Sequence, residues 1–178
     1  MREKTIKSES IFEGRVFHVK RDDIELENGA KSFREIILHN GGSSIVALND
    51  KNELFLVRQY RYATGEELYE IPAGKLEAGE DAKDCAAREL IEETGYEAKK
   101  VEHLITFYPT PGYSSESIRV YKATDLHFVG QHLDEGEFLD VLTVSIDEAL
   151  NMISDGRIKD GKTVVGILMV ANNMSQRL

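Results

Sequence analysis

The chain has 178 residues, 41% of them hydrophobic, with 32 acidic against 22 basic side chains and a net charge of −10. That length suits one substantial core and is short for two, and the negative charge argues against non-specific nucleic-acid binding, which is driven by positive charge near phosphates. Cys85 is the one cysteine and excludes an intramolecular disulfide; no apolar run reaches the length of a membrane span, and MREKTIKSES lacks a signal peptide's apolar segment, so the expectation is a cytoplasmic protein without membrane or nucleic-acid partners.

Residues 1–40 read as an N-terminal antiparallel β-hairpin rather than a tail. Apolar residues alternate in patches from Ile11 to Leu26, Asn28-Gly29 is a hairpin turn signal, and Lys31 to His39 returns as a strand. Its apolar surface either covers its own domain or pairs with a second subunit. Asn40-Gly41-Gly42 then breaks the chain before a main domain expected over residues 41–178. Ser44 to Leu48 is a short buried strand, and Glu53 to Tyr60 reads as its antiparallel neighbour across a polar turn. After the loop Thr64 to Glu67, an extended segment from Leu68 to Pro72 delivers the chain to Gly74.

Asp81 opens a run that suits a helix, and Gly95 is a natural stop. On such a helix Glu89 and Glu93 share a face, with Glu92 one step round, while Ala82, Cys85, Ala86 and Leu90 form a small apolar face for packing on a sheet. Like charges at this spacing cost an isolated helix roughly 0.2–0.5 kcal/mol per pair. Arg88 offsets only part of this, and clustered hard oxygen ligands are what Mg²⁺ or Mn²⁺ requires. A solvated acidic face is the other reading of the same cluster.

Glu102 to Phe107 reads as a strand, followed by a loop from Tyr108 to Ser115 that holds two of the three prolines. Ser117 to Ala123 alternates again, extended by Asp125 to Phe128; Gly130 to Gly136 is a polar loop, and Phe138 to Val144 a strand. Ser145 and Glu148 form a capping box opening a helix from Ile146 to Ile153. Thr163 to Asn172 reads as a second closing helix, with Gly166 keeping a strand open as the alternative. The sum is a mixed α/β or α+β sandwich. The five histidines lack metal-ligand spacing, so Zn²⁺ is not indicated.

Gly74, five residues, Glu80, seven residues, Arg88-Glu89-Leu90, one residue, Glu92-Glu93, one residue, then Gly95 and Tyr96 resembles the Nudix box of the Nudix hydrolases. Tyr96 stands where that pattern asks for an aliphatic residue. The resemblance implies a helix-sheet-helix sandwich around a mixed sheet, and a loop-helix-loop that holds divalent metal beside a pyrophosphate. It implies Mg²⁺, with Mn²⁺ as substitute, on Glu89, Glu92, Glu93 and the Ala73 carbonyl, with Glu93 and Arg88 in the catalytic network.

Further fragments, from Arg34 through Val57-Arg58-Gln59-Tyr60-Arg61, Leu68 to Gly74, Pro111-Gly112 and Ser115-Glu116 to Glu137-Phe138, resemble the ADP-ribose pyrophosphatase subgroup. That implies hydrolysis of ADP-ribose to AMP and ribose 5-phosphate. Arg34 and Arg61 are implied to hold the phosphates, Phe17 to stack on adenine, Gly112 to line the substrate, and Glu116 to lie near metal and terminal ribose. Glu137 is implied to handle the attacking water, with Glu135 as its rival. The alternatives are another nucleoside diphosphate sugar such as GDP-mannose, or a noncatalytic nucleotide-binding module. The subgroup also implies a homodimer formed through the N-terminal strands.

Overall fold

A computed structural model of the chain describes residues 2–176. The chain divides into two units, one made of the residues up to Gly41 with Tyr108–Ser117, the other of Gly42–Phe107 with Ile118 onward.

In the first unit, β1 (Lys4–Glu13), β2 (His18–Glu25) and β3 (Lys31–Leu38) form an antiparallel sheet in that order. The expected hairpin is therefore a three-stranded meander. Gly14 to Phe17 turns the chain, closed by Gly14 N–H donating to the Phe17 carbonyl at 3.1 Å. β1 escapes the reading because KTIKSESIFE is exposed along its whole length and carries no apolar alternation; backbone pairing with β2 makes it a strand. The Tyr108–Ser117 loop lies along β3, where Ile37 N–H donates to the Tyr113 carbonyl at 2.8 Å and Ser115 N–H to the Ile37 carbonyl at 2.9 Å.

The second unit is a helix-sheet-helix sandwich. β4 (Gly42–Ala47), β7 (Ala73–Lys75), β8 (Tyr96–Phe107) and β9 (Ile118–Phe128) form a mixed sheet in the order β7-β4-β9-β8, with β4 and β9 parallel. β5 (Glu53–Arg61), β6 (Glu66–Glu70) and β10 (Leu139–Ser145) form an antiparallel sheet with β5 central. The reading of β4 and β5 as neighbours fails except at one bridge, Leu48 to Leu54. A parallel partner seventy-six residues away in sequence cannot be inferred from local alternation, and β9 takes that place.

Side chains alternate across the central sheet. Ile45 and Ala47 meet α1 (Ala82–Thr94) through Ala82, Ala86 and Leu90, while Val46 and Leu48 join Leu56, Ile71 and Val120 beneath α2 (Ile146–Ser154) and α3 (Gly161–Ser175). α2 starts at the Ser145 cap, though the Glu148 carboxylate turns to Arg157 instead of completing the box. α3 is a helix in spite of Gly166. A Cβ there would stand 2.8 Å from Val46 Cγ2, so the glycine lets the helix lie close on the sheet.

Candidate active site

α1 begins and ends on local chemistry. The Asp81 carboxylate accepts from Lys83 N–H at 2.8 Å, and Gly95 closes the helix in the left-handed conformation at φ 78°, its N–H donating to the Ile91 carbonyl. Cys85, Ala86 and Leu90 are fully buried. Packing that face on the sheet turns the other edge, with Arg88, Glu89, Glu92 and Glu93, toward the β7 loop.

Arg88 gathers the carboxylates. Its Nη1 donates to Glu89 at 2.8 Å and to Glu92 at 2.7 Å, and its Nε to Glu80 at 3.1 Å. Burial opposes the guanidinium's charge, but the carboxylates outweigh it and hold the group protonated. The Glu80 carboxyl is held below its ordinary range, chiefly by Arg88 and then by the Glu77 N–H.

Glu93 is 4% exposed and receives one backbone bond, from Ala73 N–H at 3.1 Å. Burial is the main force that pushes its carboxyl up to about 8, with the charges of Glu89 and Glu137 adding to it. Burial likewise raises Glu89 against the pull of Arg88. A buried carboxylate that has no guanidinium of its own, beside two others that share Arg88, is undercompensated, an arrangement that a cation would relieve. The loop is shaped to allow this, since a Cβ on Gly74 would stand 1.7 Å from Glu89 Oε1. Among the described residues no three acidic, histidine or cysteine side chains already converge as a metal cage, their oxygens being turned to Arg88. The donors on offer are all hard oxygens, which fits Mg²⁺ or Mn²⁺.

The loop after β9 is tied to the end of α1. Gln131 Nε2 donates to the Glu93 carbonyl at 2.6 Å and His132 N–H to the Glu92 carbonyl at 3.1 Å. Sequence reasoning passed over both residues, because main-chain docking leaves no spacing signal. The loop then turns at Glu137, whose N–H donates to the Asp134 carbonyl at 3.0 Å, and Glu137's charge reaches Glu89 and Glu93. Glu135 sits exposed on the same loop.

Arg61, at the end of β5, grips Glu70 with two parallel bonds, Nε at 2.6 Å and Nη2 at 2.8 Å. Arg58 turns to Asp140 and Glu67, outside the carboxylate cluster, as strand alternation predicts. Sequence reasoning missed Glu70, whose setting in Leu-Tyr-Glu-Ile gives no hint that it is buried, and Lys162, which ion-pairs with it.

Arg34, Phe17, Gly112 and Glu116 belong to the first unit. Arg34 ion-pairs with Glu3, Phe17 packs its ring 5.8 Å from that of Phe12, and Glu116 lies 3.7 Å from His39 Nδ1. Gly112 sits in the Thr110–Ser114 turn, where Ser114 N–H donates to the Thr110 carbonyl at 3.0 Å.

The NUDIX domain profile matches residues 38–164, and the nucleoside diphosphate sugar hydrolase N-terminal domain profile matches residues 3–37. The methanol dehydrogenase activator of Bacillus methanolicus is 47% identical over 93% of this chain and 90% of its own length. The ADP-ribose pyrophosphatase of Bacillus subtilis strain 168 is 40% identical over 94% and 91%. A crystal structure of an ADP compounds hydrolase superposes with a TM-score of 0.90 at 24% identity, covering 99% of this chain and 96% of that one, which shows the fold. No helix among the described residues is long and apolar enough to cross a membrane.

Proposed function

The chain belongs to the Nudix hydrolases, and we propose that it uses Mg²⁺ to cleave the pyrophosphate bond of ADP-ribose, giving AMP and ribose 5-phosphate. Its activity is Nudix-type hydrolysis of a nucleoside-diphosphate-linked compound, dependent on a divalent metal and most like that of an ADP-ribose pyrophosphatase. The observation that supports metal-dependent cleavage is the undercompensated edge of α1, with Glu89 and Glu93 against the Ala73-Gly74 backbone, Glu92 gathered beside them by Arg88, and Glu137's charge acting on Glu89 and Glu93; the likeness to ADP-ribose pyrophosphatases supports the substrate.

Glu89, Glu92, Glu93 and the Ala73 carbonyl would hold the metal, with Glu116 added by resemblance. When bound, the metal supplies positive charge against the diphosphate and makes water a stronger nucleophile. Arg88 turns Glu80, Glu89 and Glu92 together. Arg61 faces negative charge that builds on a phosphate oxygen as the bridging O–P bond breaks. Glu137 takes the proton of the water whose oxygen bonds to phosphorus, and the electron pair of the broken bond leaves on the departing phosphate. Resemblance assigns Arg34, Phe17 and Gly112 to substrate, each tested by its own KM. It also favours a homodimer in which residues 1–40 form the contact beside a hydrolase domain of residues 41–178.

The test is steady-state hydrolysis of ADP-ribose, GDP-mannose, UDP-glucose and NADH, with products identified by chromatography. The expected result is Mg²⁺-dependent release of AMP from ADP-ribose, with kcat/KM at least about tenfold above the others. Preference for GDP-mannose would move the substrate, and full turnover in EDTA would overturn the metal site. The 47% identity to the methanol dehydrogenase activator favours a second reading, in which the chain also acts on a dehydrogenase; alcohol dehydrogenase turnover with and without the protein tests it.

A further inference from the structure

The first turn of α3 reaches the end of β6 by two separate bonds. Thr163 Oγ1 accepts from Ile71 N–H at 2.8 Å, and Lys162 Nζ donates to Glu70 Oε2. Asp160 steadies both, accepting from Thr163 N–H at 3.0 Å and from its hydroxyl at 2.6 Å, and lying 3.1 Å from Lys162 Nζ. The Glu70 side chain is 2% exposed, yet Arg61 and Lys162 keep it ionised, outweighing the burial that would neutralise it.

The consequence falls on Arg61. A guanidinium is a planar fork, and here Glu70 takes the edge formed by Nε and Nη2. The other end of the fork, at Nη1, is directed away from Glu70, on a side chain that is 41% exposed. Lys162 cannot take that part itself, because its side chain is 12% exposed and its ammonium is spent on Glu70 and Asp160. Both cations act electrostatically on Glu93, so the arrangement borders the carboxylate edge of α1.

We propose that Lys162 is a positioning residue for diphosphate binding: by holding Glu70 Oε2 it fixes the Arg61 guanidinium with its Nη1 end toward a substrate phosphate. The inference rests on the Nudix hydrolase reading of the site, though not on which sugar the substrate carries. Removing the ammonium leaves Glu70 Oε2 with the Arg61 Nη2 bond and takes one of the two countercharges from a buried carboxylate, so the guanidinium is drawn inward to compensate.

The experiment is a double-mutant cycle on Lys162→Met and Arg61→Ala. Its readouts are Kd for ADP and for GDP in EDTA by calorimetry, and KM and kcat for ADP-ribose with Mg²⁺. Lys162→Met should raise KM and the tighter Kd about tenfold, the scale of a charge-assisted hydrogen bond, with kcat changed by less than about threefold. Lys162→Arg should restore both to within about threefold. In the Arg61→Ala background, Lys162→Met should add less than about twofold, since a positioning effect vanishes with the group positioned. Additive effects, or unchanged KM and Kd in Lys162→Met, would overturn the proposal. Where Met lowers the melting temperature into the assay range, the cycle is run with Lys162→Gln, and additivity there overturns it equally. Wild-type inactivity on ADP-ribose would change the substrate alone, because the nucleotide Kd cycle still decides Lys162.

Discussion

Gly74 and Glu89 occupy each other's space: a side chain on the first would meet Oε1 of the second at 1.7 Å. The obstructing atom is the end of a flexible side chain, so Gly74→Ala should fold and push the Glu89 carboxylate aside. A displaced metal-facing carboxylate weakens metal affinity or activity by about 10- to 100-fold. We expect the Mg²⁺ concentration for half-maximal turnover to rise by that factor, with the melting temperature in EDTA little changed. An unaltered Mg²⁺ titration would remove Glu89 from the metal site.

Glu137 and Glu135 sit two residues apart on a polar loop, but Glu137's charge is felt at Glu89 and Glu93. Glu137→Gln should lower kcat by about 10²- to 10⁴-fold with KM changed little, and Glu135→Gln should be mild. The reverse ranking in steady-state kinetics would transfer the proton to Glu135. Small effects at both positions would mean that this loop handles no proton.

What was legible in the sequence was whatever is encoded locally. Asp81, the acidic positions and Gly95 specify α1 within fifteen residues, and the structure keeps those bounds. Long-range pairing was not legible, which is why β4 was assigned the wrong neighbour. Nor was Glu70, whose burial depends on Lys162, ninety-two residues away. One signal was there to use: Asp160 followed by Thr163 is a helix-opening pair, and it marks the first turn of α3, where Lys162 sits. Between Glu135 and Glu137 no periodicity discriminates, because loop direction is set by the Gln131 side-chain amide and the His132 N–H bonding to main-chain carbonyls of α1.

Glu70 gives the fold an acid-labile element. Burial raises its carboxyl, but Arg61 and Lys162 together hold it below the ordinary range. A lowered folded-state pKa means that the ionised form stabilises the fold; this contribution is complete above the unfolded value and is lost as pH falls through the folded one. Glu70→Gln should therefore lose stability at pH 7, by about 2–3 kcal/mol once the partial exposure of Arg61 is discounted. Below about pH 4 the gap to wild type should narrow. Melting curves from pH 3 to 8 check this, and a gap that widens in acid would contradict it.

Gly166 sets two effects against each other. Alanine gains about 1 kcal/mol of helix propensity over glycine, yet its Cβ would meet Val46 Cγ2 at 2.8 Å and Ile71 Cδ1 at 3.1 Å in a filled core. Overpacking costs about 1–3 kcal/mol, so packing wins and Gly166→Ala should be net destabilising in denaturant unfolding. A stabilised variant would show that α3 can back away from the sheet freely.

β1 presents an edge that calls for a partner. All ten of its residues are exposed, Ile6 at 51%, Ile11 at 57% and Phe12 at 51%, and an exposed apolar edge strand is a template for pairing with another chain. A second copy supplies a matching edge, which fits the proposed homodimer through the N-terminal strands. Light scattering should give twice the 20.1 kDa chain mass. Ile11→Lys, which places a charge on that edge, should shift the protein toward monomer while leaving the circular dichroism spectrum intact. Deleting residues 1–35 should leave a poorly soluble chain with little turnover. A soluble, dimeric and active truncation would place the contact elsewhere, and a monomeric wild type would remove it.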